Sequence, residues 1–274
     1  MQEILQPRRG RRGSLLLAIG TAVTLALSGA PASADDAWSD IRAAIFDNRD
    51  VVEDSTVTLD APYRAEDAAV VPLTMRIPAS VAKDVKSLTL VVDKNPMPVA
   101  AKFEFGDAAG SGERMISTRV RIDMYSNVRA VVETKDGKLH MATKFVKASG
   151  GCSAPAGKDA DEALANLGKI KIRTFASENN NTSGTREAQV MIRHPNFTGM
   201  QMDQLTREYT PAHYVDEIEI KRGKDVIFTM QGGISISENP HFRFTFAADG
   251  EPIEVTAKDT EGSVFTATST DSAS

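Results

Sequence analysis

Apolar and polar residues alternate with period two along most of the chain, which predicts short β-strands. In "RMISTRVRIDM", from Arg114, Ile116, Thr118, Val120 and Ile122 fall on one face and Arg119, Arg121 and Asp123 on the other. "VPLTMRIP" from Val71, "VKSLTLVVDKNP" from Val85 and "AAKFEFG" from Ala100 are further short runs, punctuated by Pro and Gly. "VRAVVETKDGKLHMATKFVK" reads as a hairpin turning at Asp136-Gly137. After a soft stretch the strands resume: "KIKIRTF", "EAQVMIRHP", a second hairpin turning at Arg222-Gly223, "HFRFTFA" with Phe242, Phe244 and Phe246 on one face, then "PIEVTAKD" and "SVFTATST". The one clear helical pattern comes early, in "DDAWSDIRAAIFDN", where Trp38, Ile41, Ile45 and the neighbouring Phe46 share a face. No long helical patterns separate the strands, so the expected fold is all-β, with two sandwiches of roughly 100 residues each rather than an α/β sheet.

The expected organisation has four parts. Residues 1–34 read as an export signal: four arginines, an apolar run over residues 15–27, then Ala32-Ser33-Ala34. The paired arginines fit twin-arginine export, and the layout fits the general secretory (Sec) route as well. The apolar run is short for a membrane span, so the cleaved protein is expected in the periplasm with no membrane insertion. Residues 35–147 form the first sandwich and 169–274 the second. Residues 148–168 form a Gly/Ala/Ser linker, with one or two helical turns between a cap at Asp159 and a stop at Gly168.

Composition is that of an ordinary globular protein, 41% hydrophobic and 25% charged, with a net charge of −5 and no basic stripe. Nucleic acid is therefore not an expected partner. The one cysteine, Cys152, changes the picture more. A single thiol cannot form an internal disulfide, and in an exported chain it points to a reactive group or an intermolecular bond. Its neighbours are Gly150, Gly151, Ser153, Ala154 and Pro155, none of which offers apolar cover. Cys152 is therefore expected to be exposed, acting as a nucleophile toward an electrophilic sulfur or as a covalent attachment site.

A cysteine hydrolase would need a histidine as base. His140, His194, His213 and His241 are all candidates, but a Gly-rich linker holds a nucleophile poorly for catalysis. Hence no catalytic residue is assigned, and a thiol redox enzyme stays an alternative. Ligand spacings such as CxxC or HxxxH are absent, and Met200 and Met202 read as packing residues, so no metal is assigned.

The quoted segments resemble a known pair of proteins. The first block, with "VPLTMRIP", "LTLVVDKNPMPVAAKFEFG" and the terminal "KFVKASGGC", looks like the sulfur-oxidation carrier subunit SoxY, whose tail reads Gly-Gly-Cys-Gly-Gly. Gly150, Gly151 and Cys152 match its first three positions, with Ser153-Ala154-Pro155 following in place of Gly-Gly. The second block resembles the partner subunit SoxZ, with His-Pro at 194, Thr-Gly at 198, Pro-Ala-His at 211 and Ser-Glu-Asn-Pro at 237 in order. The whole is similar to fused SoxYZ-like carriers associated with quinoprotein dehydrogenases. The resemblance implies immunoglobulin-like sandwiches and a covalent sulfur adduct on Cys152 with no other cofactor. It implies a carrier rather than a catalyst, with periplasmic enzymes of sulfur or alcohol oxidation as partners, including a quinoprotein dehydrogenase or cytochrome c link. A non-covalent accessory protein of such a dehydrogenase is the alternative.

Overall fold

The alternating runs fold as strands, and the strands of the two sequence blocks share their sheets. A computed structural model describes residues 35–155, 164–175, 185–203, 206–247 and 251–270. The export-signal assignment and the Asp159 cap lie outside the described residues.

One sheet has the order β1 (Val51–Glu53), β8 (Leu139–Val146), β7 (Ser126–Thr134), β4 (Val85–Val92), β5 (Val99–Phe105), β12 (Asp225–Gly232), β11 (Val215–Arg222), β14 (Ile253–Asp259) and β15 (Val264–Thr268). The other runs β2 (Thr58–Asp60), β3 (Val71–Ile77), β6 (Arg114–Val120), β13 (His241–Ala247), β10 (Thr185–Ile192) and β9 (Ile170–Phe175). The fold is all-β, as expected, with α1 (Asp35–Phe46) near its start. Among the described residues no helix is long and apolar enough to cross a membrane.

The two blocks meet edge to edge in both sheets. β5 pairs antiparallel with β12, from Phe105↔Phe228 to Ala101↔Gly232. β6 pairs with β13 at Ser117↔Arg243 and Ile116↔Phe244, and an isolated bridge joins Val120 to Ile236. Pairing of this kind leaves neither block with a bare strand edge at the junction. One hydrophobic core runs across it, with Leu73, Leu88 and Phe103 from the first block and Phe228, Phe242 and Phe244 from the second. Phe103 meets Phe228 edge to face at a centroid distance of 5.7 Å, and Phe228 meets Phe244 at 5.1 Å. Such pairs add about 0.5–1.5 kcal/mol each beyond the area they bury.

Both hairpins turn where the sequence places them, with Gly137 at φ 82° and Gly223 at φ 54°. The phenylalanine face of β13 is buried throughout. Two expectations need correction. In α1, Trp38 and Phe46 pack inward with Val131, Leu139 and Met141, and Ile41 is buried, but Ile45 is 45% exposed. The buried Phe46 ring, tilted against Trp38 at a centroid distance of 6.1 Å, takes the inward place at the end of the helix. Arg121, assigned to the polar face, is wholly buried. The chain leaves the β6 ladder after Val120, so strict alternation no longer governs it; the segment that follows is wedged between the two blocks.

Candidate functional site

The segment carrying Cys152 lies against that wedge. Gly150 N–H donates to the Asp123 carbonyl (2.8 Å) and Gly151 N–H to the Ile122 carbonyl (3.0 Å), so a turn of the soft stretch is pinned to residues 122–123. Ile122 N–H donates in turn to the Ala68 carbonyl (2.8 Å), and Arg121 N–H to the Ser235 carbonyl of the second block (2.7 Å). Asn95 ties the layers together. Its Nδ2 donates to the Arg121 carbonyl (2.7 Å) and to Ser235 Oγ (2.8 Å), while its Oδ1 accepts from Asp123 N–H (2.9 Å).

The two glycines have different tasks. Gly150 sits at φ 77°, a left-handed conformation that glycine adopts at little cost. Gly151 allows close approach: a Cβ there would overlap the Ala68 carbonyl oxygen and crowd the Ile122 carbonyl. Ser153, the outer flanking residue, is exposed and donates Oγ–H to the Gly150 carbonyl (3.3 Å). Cys152 itself is held from both blocks. Its N–H points to Asp123 Oδ1 at 3.4 Å, and its carbonyl accepts from Thr198 Oγ–H at 2.6 Å. Thr198 is fixed by Gln201 Oε1, which accepts from the Thr198 N–H at 2.8 Å.

The expectation of an exposed thiol is therefore corrected: Cys152 is 0% exposed. Its cover does not come from its own small neighbours. Residues distant in sequence pack against this segment: the Ala68 and Ile122 carbonyls stand where a Cβ of Gly151 would be, and Thr198 holds the Cys152 carbonyl. Burial pushes the thiol up to about 12, the Asp123 carboxylate adds to this, and Arg121 opposes it. In this seat the sulfur is a protonated, weak nucleophile.

Arg121 is the residue sequence reasoning missed. It is 0% exposed, and its Nη1 donates to the Gly151 carbonyl at 3.2 Å. Nε and Nη2 have no hydrogen-bond partner among the described residues. Burial lowers its pKa, while Glu238, Cys152 and Asp67 favour its charged form electrostatically. Buried donors left unpaired cost about 1–3 kcal/mol each, more on a charged group.

None of the four histidines partners Cys152 among the described residues. His140 contacts Asp54 (2.8 Å) and Thr56, and His241 contacts Gln189 (2.7 Å). His194 and His213 converge on buried Asp259, with His213 Nε2 at 2.8 Å from Oδ2 and His194 Nε2 at 3.6 Å. The three offer ligand atoms within 4.8 Å of one another. The donor set does not suit a metal, however. His194 Nδ1 accepts from Asn196 N–H (3.0 Å). The neutral ring then carries its proton on Nε2, the atom facing Asp259, and has no lone pair there to offer. The trio instead braces the loop that presents Thr198. Asn196 Oδ1 accepts from Val215 N–H (3.2 Å), and Phe197 and His213 exchange backbone hydrogen bonds at 2.8 and 3.0 Å. Burial, then the neighbouring His213, lowers His194 to about 4. The residues of this brace lie far apart in sequence, so no local spacing reveals it.

Comparison with known proteins matches the two blocks separately. The family model for sulfur oxidation protein SoxY covers residues 42–152, and that for sulphur oxidation protein SoxZ covers residues 172–270. No curated protein sequence matches the chain. Among solved structures, the sulfur carrier protein SoxY from Chlorobium limicola f thiosulfatophilum aligns at 26% identity over 42% of this chain and 94% of its own, with a TM-score of 0.34. A beta-glycosidase from Bacteroides vulgatus aligns at 6% identity over 78% of this chain and 24% of its own, with a TM-score of 0.22.

Proposed function

Because the chain is a SoxYZ-like fused protein, with a SoxY half and a SoxZ half in one polypeptide, we propose that it is a periplasmic carrier of the sulfur-oxidation type. It holds a sulfur-containing group covalently on Cys152 and presents it to separate sulfur-oxidation enzymes. The protein supplies the attachment point and its shelter, and the enzymes supply the chemistry. One observation carries this reading: the only thiol of the chain stands at the last residue of the SoxY match and is clamped there by both halves. The two matches lend no support to a quinoprotein partner.

Burial of the thiol makes the carrier a two-state device. Docked, Cys152 is protonated and shielded. Undocking breaks the bonds from Thr198 and Arg121 and the two glycine N–H bonds, with Gly150 as the hinge, and returns the thiol to its ordinary range. Loading and hand-over belong to the undocked state. Tethering at both ends limits its reach to a loop.

Intact mass spectrometry of protein purified from the periplasm without reductant tests the reading. An added mass on Cys152, absent from Cys152→Ser, is expected. Only unmodified or disulfide-dimer mass would overturn it. The same spectrum reports signal cleavage. The buried, protonated thiol favours one competing reading, an accessory protein in which Cys152 only packs; it requires Cys152→Ser to retain full function in cells.

A further inference from the structure

We propose that Arg121 is a positioning residue for the adduct on Cys152. Its unpartnered Nε and Nη2 receive the outer end of an anionic, oxygen-terminated group and hold the loaded loop in its seat. This inference rests on the carrier reading and assigns the residue that steadies the adduct in its seat.

The argument starts from the empty donors. Arg121 is wholly buried and spends one of its N–H groups on the Gly151 carbonyl, next to the cysteine. Nε and Nη2 are free among the described residues. Together they form the edge of a guanidinium that matches two oxygens of a carboxylate, sulfonate or phosphate. The carboxylates within electrostatic reach, Asp67 and Glu238, make no hydrogen bond to it. Asp67 Oδ1 accepts from the Ala69 N–H and Asp123 Oδ1 from the Cys152 N–H. A protonated thiol offers these donors nothing comparable, so the unloaded seat is left incomplete at this point. An adduct ending in an oxyanion completes it, and a neutral apolar adduct does not.

The test loads Cys152 chemically and so is independent of what cells attach. In the open state the Cys152 thiolate attacks the sulfenyl sulfur of an alkyl methanethiosulfonate. A protein S–S bond forms, the S–SO2 bond breaks, methanesulfinate leaves with the electron pair, and the thiol proton goes to solvent; no outside oxidant takes part. The 2-sulfonatoethyl reagent leaves an anionic end and the ethyl reagent a neutral one of similar length. Release by dithiothreitol is then timed for both adducts on the wild-type chain and on Arg121→Gln, whose ratio corrects for the intrinsic reactivity of the two disulfides. The sulfonate adduct is expected to be released about tenfold more slowly than the ethyl adduct on the wild type, relative to Arg121→Gln. Arg121→Lys, which keeps the charge without the fork, is expected to recover only part of that protection. Equal corrected rates overturn the proposal.

Should Arg121→Gln fail to fold, hydrogen exchange on the wild type alone decides. The amides of Gly150, Gly151 and Cys152 are expected to stay protected with the sulfonate adduct and to exchange at least about tenfold faster with the ethyl adduct. Equal exchange overturns the proposal. The carrier reading fails separately, on an unmodified Cys152 in periplasmic protein.

Discussion

Two buried arginines of this protein make opposite use of the same group. Arg129, in β7, directs Nε and Nη2 into both oxygens of Asp93 at 2.8–3.0 Å, turns Nη1 toward Thr143 (3.4 Å), and stacks over the Trp38 ring at 4.4 Å. The Arg121 side chain makes one hydrogen bond and leaves Nε and Nη2 without a partner among the described residues. Burial alone does not separate them. What differs is completeness: the charge and donors of Arg129 are matched within the scaffold, whereas Arg121 keeps two donor atoms open beside the segment that carries the thiol, which is what the proposed positioning role needs.

The sharpest way to break this comparison is to unmatch the matched pair. Asp93→Ala leaves the Arg129 charge buried and unpaired and is expected to cost about 3–5 kcal/mol in urea unfolding at neutral pH. Arg121→Met removes two donor atoms that had no partner and only one bond, that to the Gly151 carbonyl, so it is expected to cost less, about 1–2 kcal/mol. Equal losses from the two substitutions would mean that Arg121 is scaffold after all.

Acid probes a third buried cluster, the His194–Asp259–His213 brace behind Thr198. His194 is depressed to about 4 by burial and by His213, so the unfolded chain takes up its proton first as pH falls. At Asp259 burial raises the carboxyl, but hydrogen bonds from His213 and Ser263 outweigh it and leave it below its usual range. Both depressed groups give the same sign: their stabilisation is present near pH 7. His194 loses its share between pH 6.5 and 4, on the order of 3 kcal/mol, and Asp259 adds to the loss at lower pH. His194→Gln is expected to flatten the unfolding midpoint between pH 7 and 4. An unchanged slope would remove this histidine from the brace.

The seat can also be opened directly. Gly151→Ala drives a Cβ into the Ala68 carbonyl, and the loop must lift to avoid it. Iodoacetamide is expected to alkylate Cys152 at least about tenfold faster than in the parent chain, because a buried thiol reacts through its open state. Gly150→Ala meets only the Ser153 hydroxyl, at 3.9 Å, and bears a φ of 77°, so its expected cost is about 1 kcal/mol of backbone strain with a smaller rate gain. Similar rates for the two variants would mean that close approach at Gly151 does not hold the thiol.

These differences mark what the sequence could and could not reveal. Strands, hairpin turns and the phenylalanine face of β13 were legible because period two and Asp-Gly or Arg-Gly turns are local signals. Pairing across the halves was not: nothing in "KFEFG" says that β5 takes β12 as its neighbour. Cys152 looked exposed because its own neighbours are small, yet the smallness of Gly151 is what lets the Ala68 and Ile122 carbonyls close in beside it. Arg121 obeyed the alternation on paper and left it in space, since the ladder that enforces alternation ends at Val120. The thiol was found by counting; its seat, built from residues 68, 95, 121–123 and 198, needed three dimensions.

The finest probe of the contrast is the contact that joins the cysteine to the SoxZ half. Thr198→Val keeps the side-chain shape and removes the hydroxyl that the Cys152 carbonyl accepts at 2.6 Å. The same hydroxyl accepts from Met200 N–H at 3.1 Å, so the variant leaves one carbonyl and one amide wanting. A loss of about 1 kcal/mol is expected in the docked state. Because the bond to Cys152 is lost from the docked state alone, while the Met200 bond is lost from both states, opening is expected to rise about fivefold, and Cys152 alkylation with it, while the urea slope stays that of the parent chain. The Arg121 bond to Gly151 remains in this variant, so the sulfonate-adduct protection should survive. Losing that protection together with the hydroxyl would assign the seat to Thr198 and not to the guanidinium.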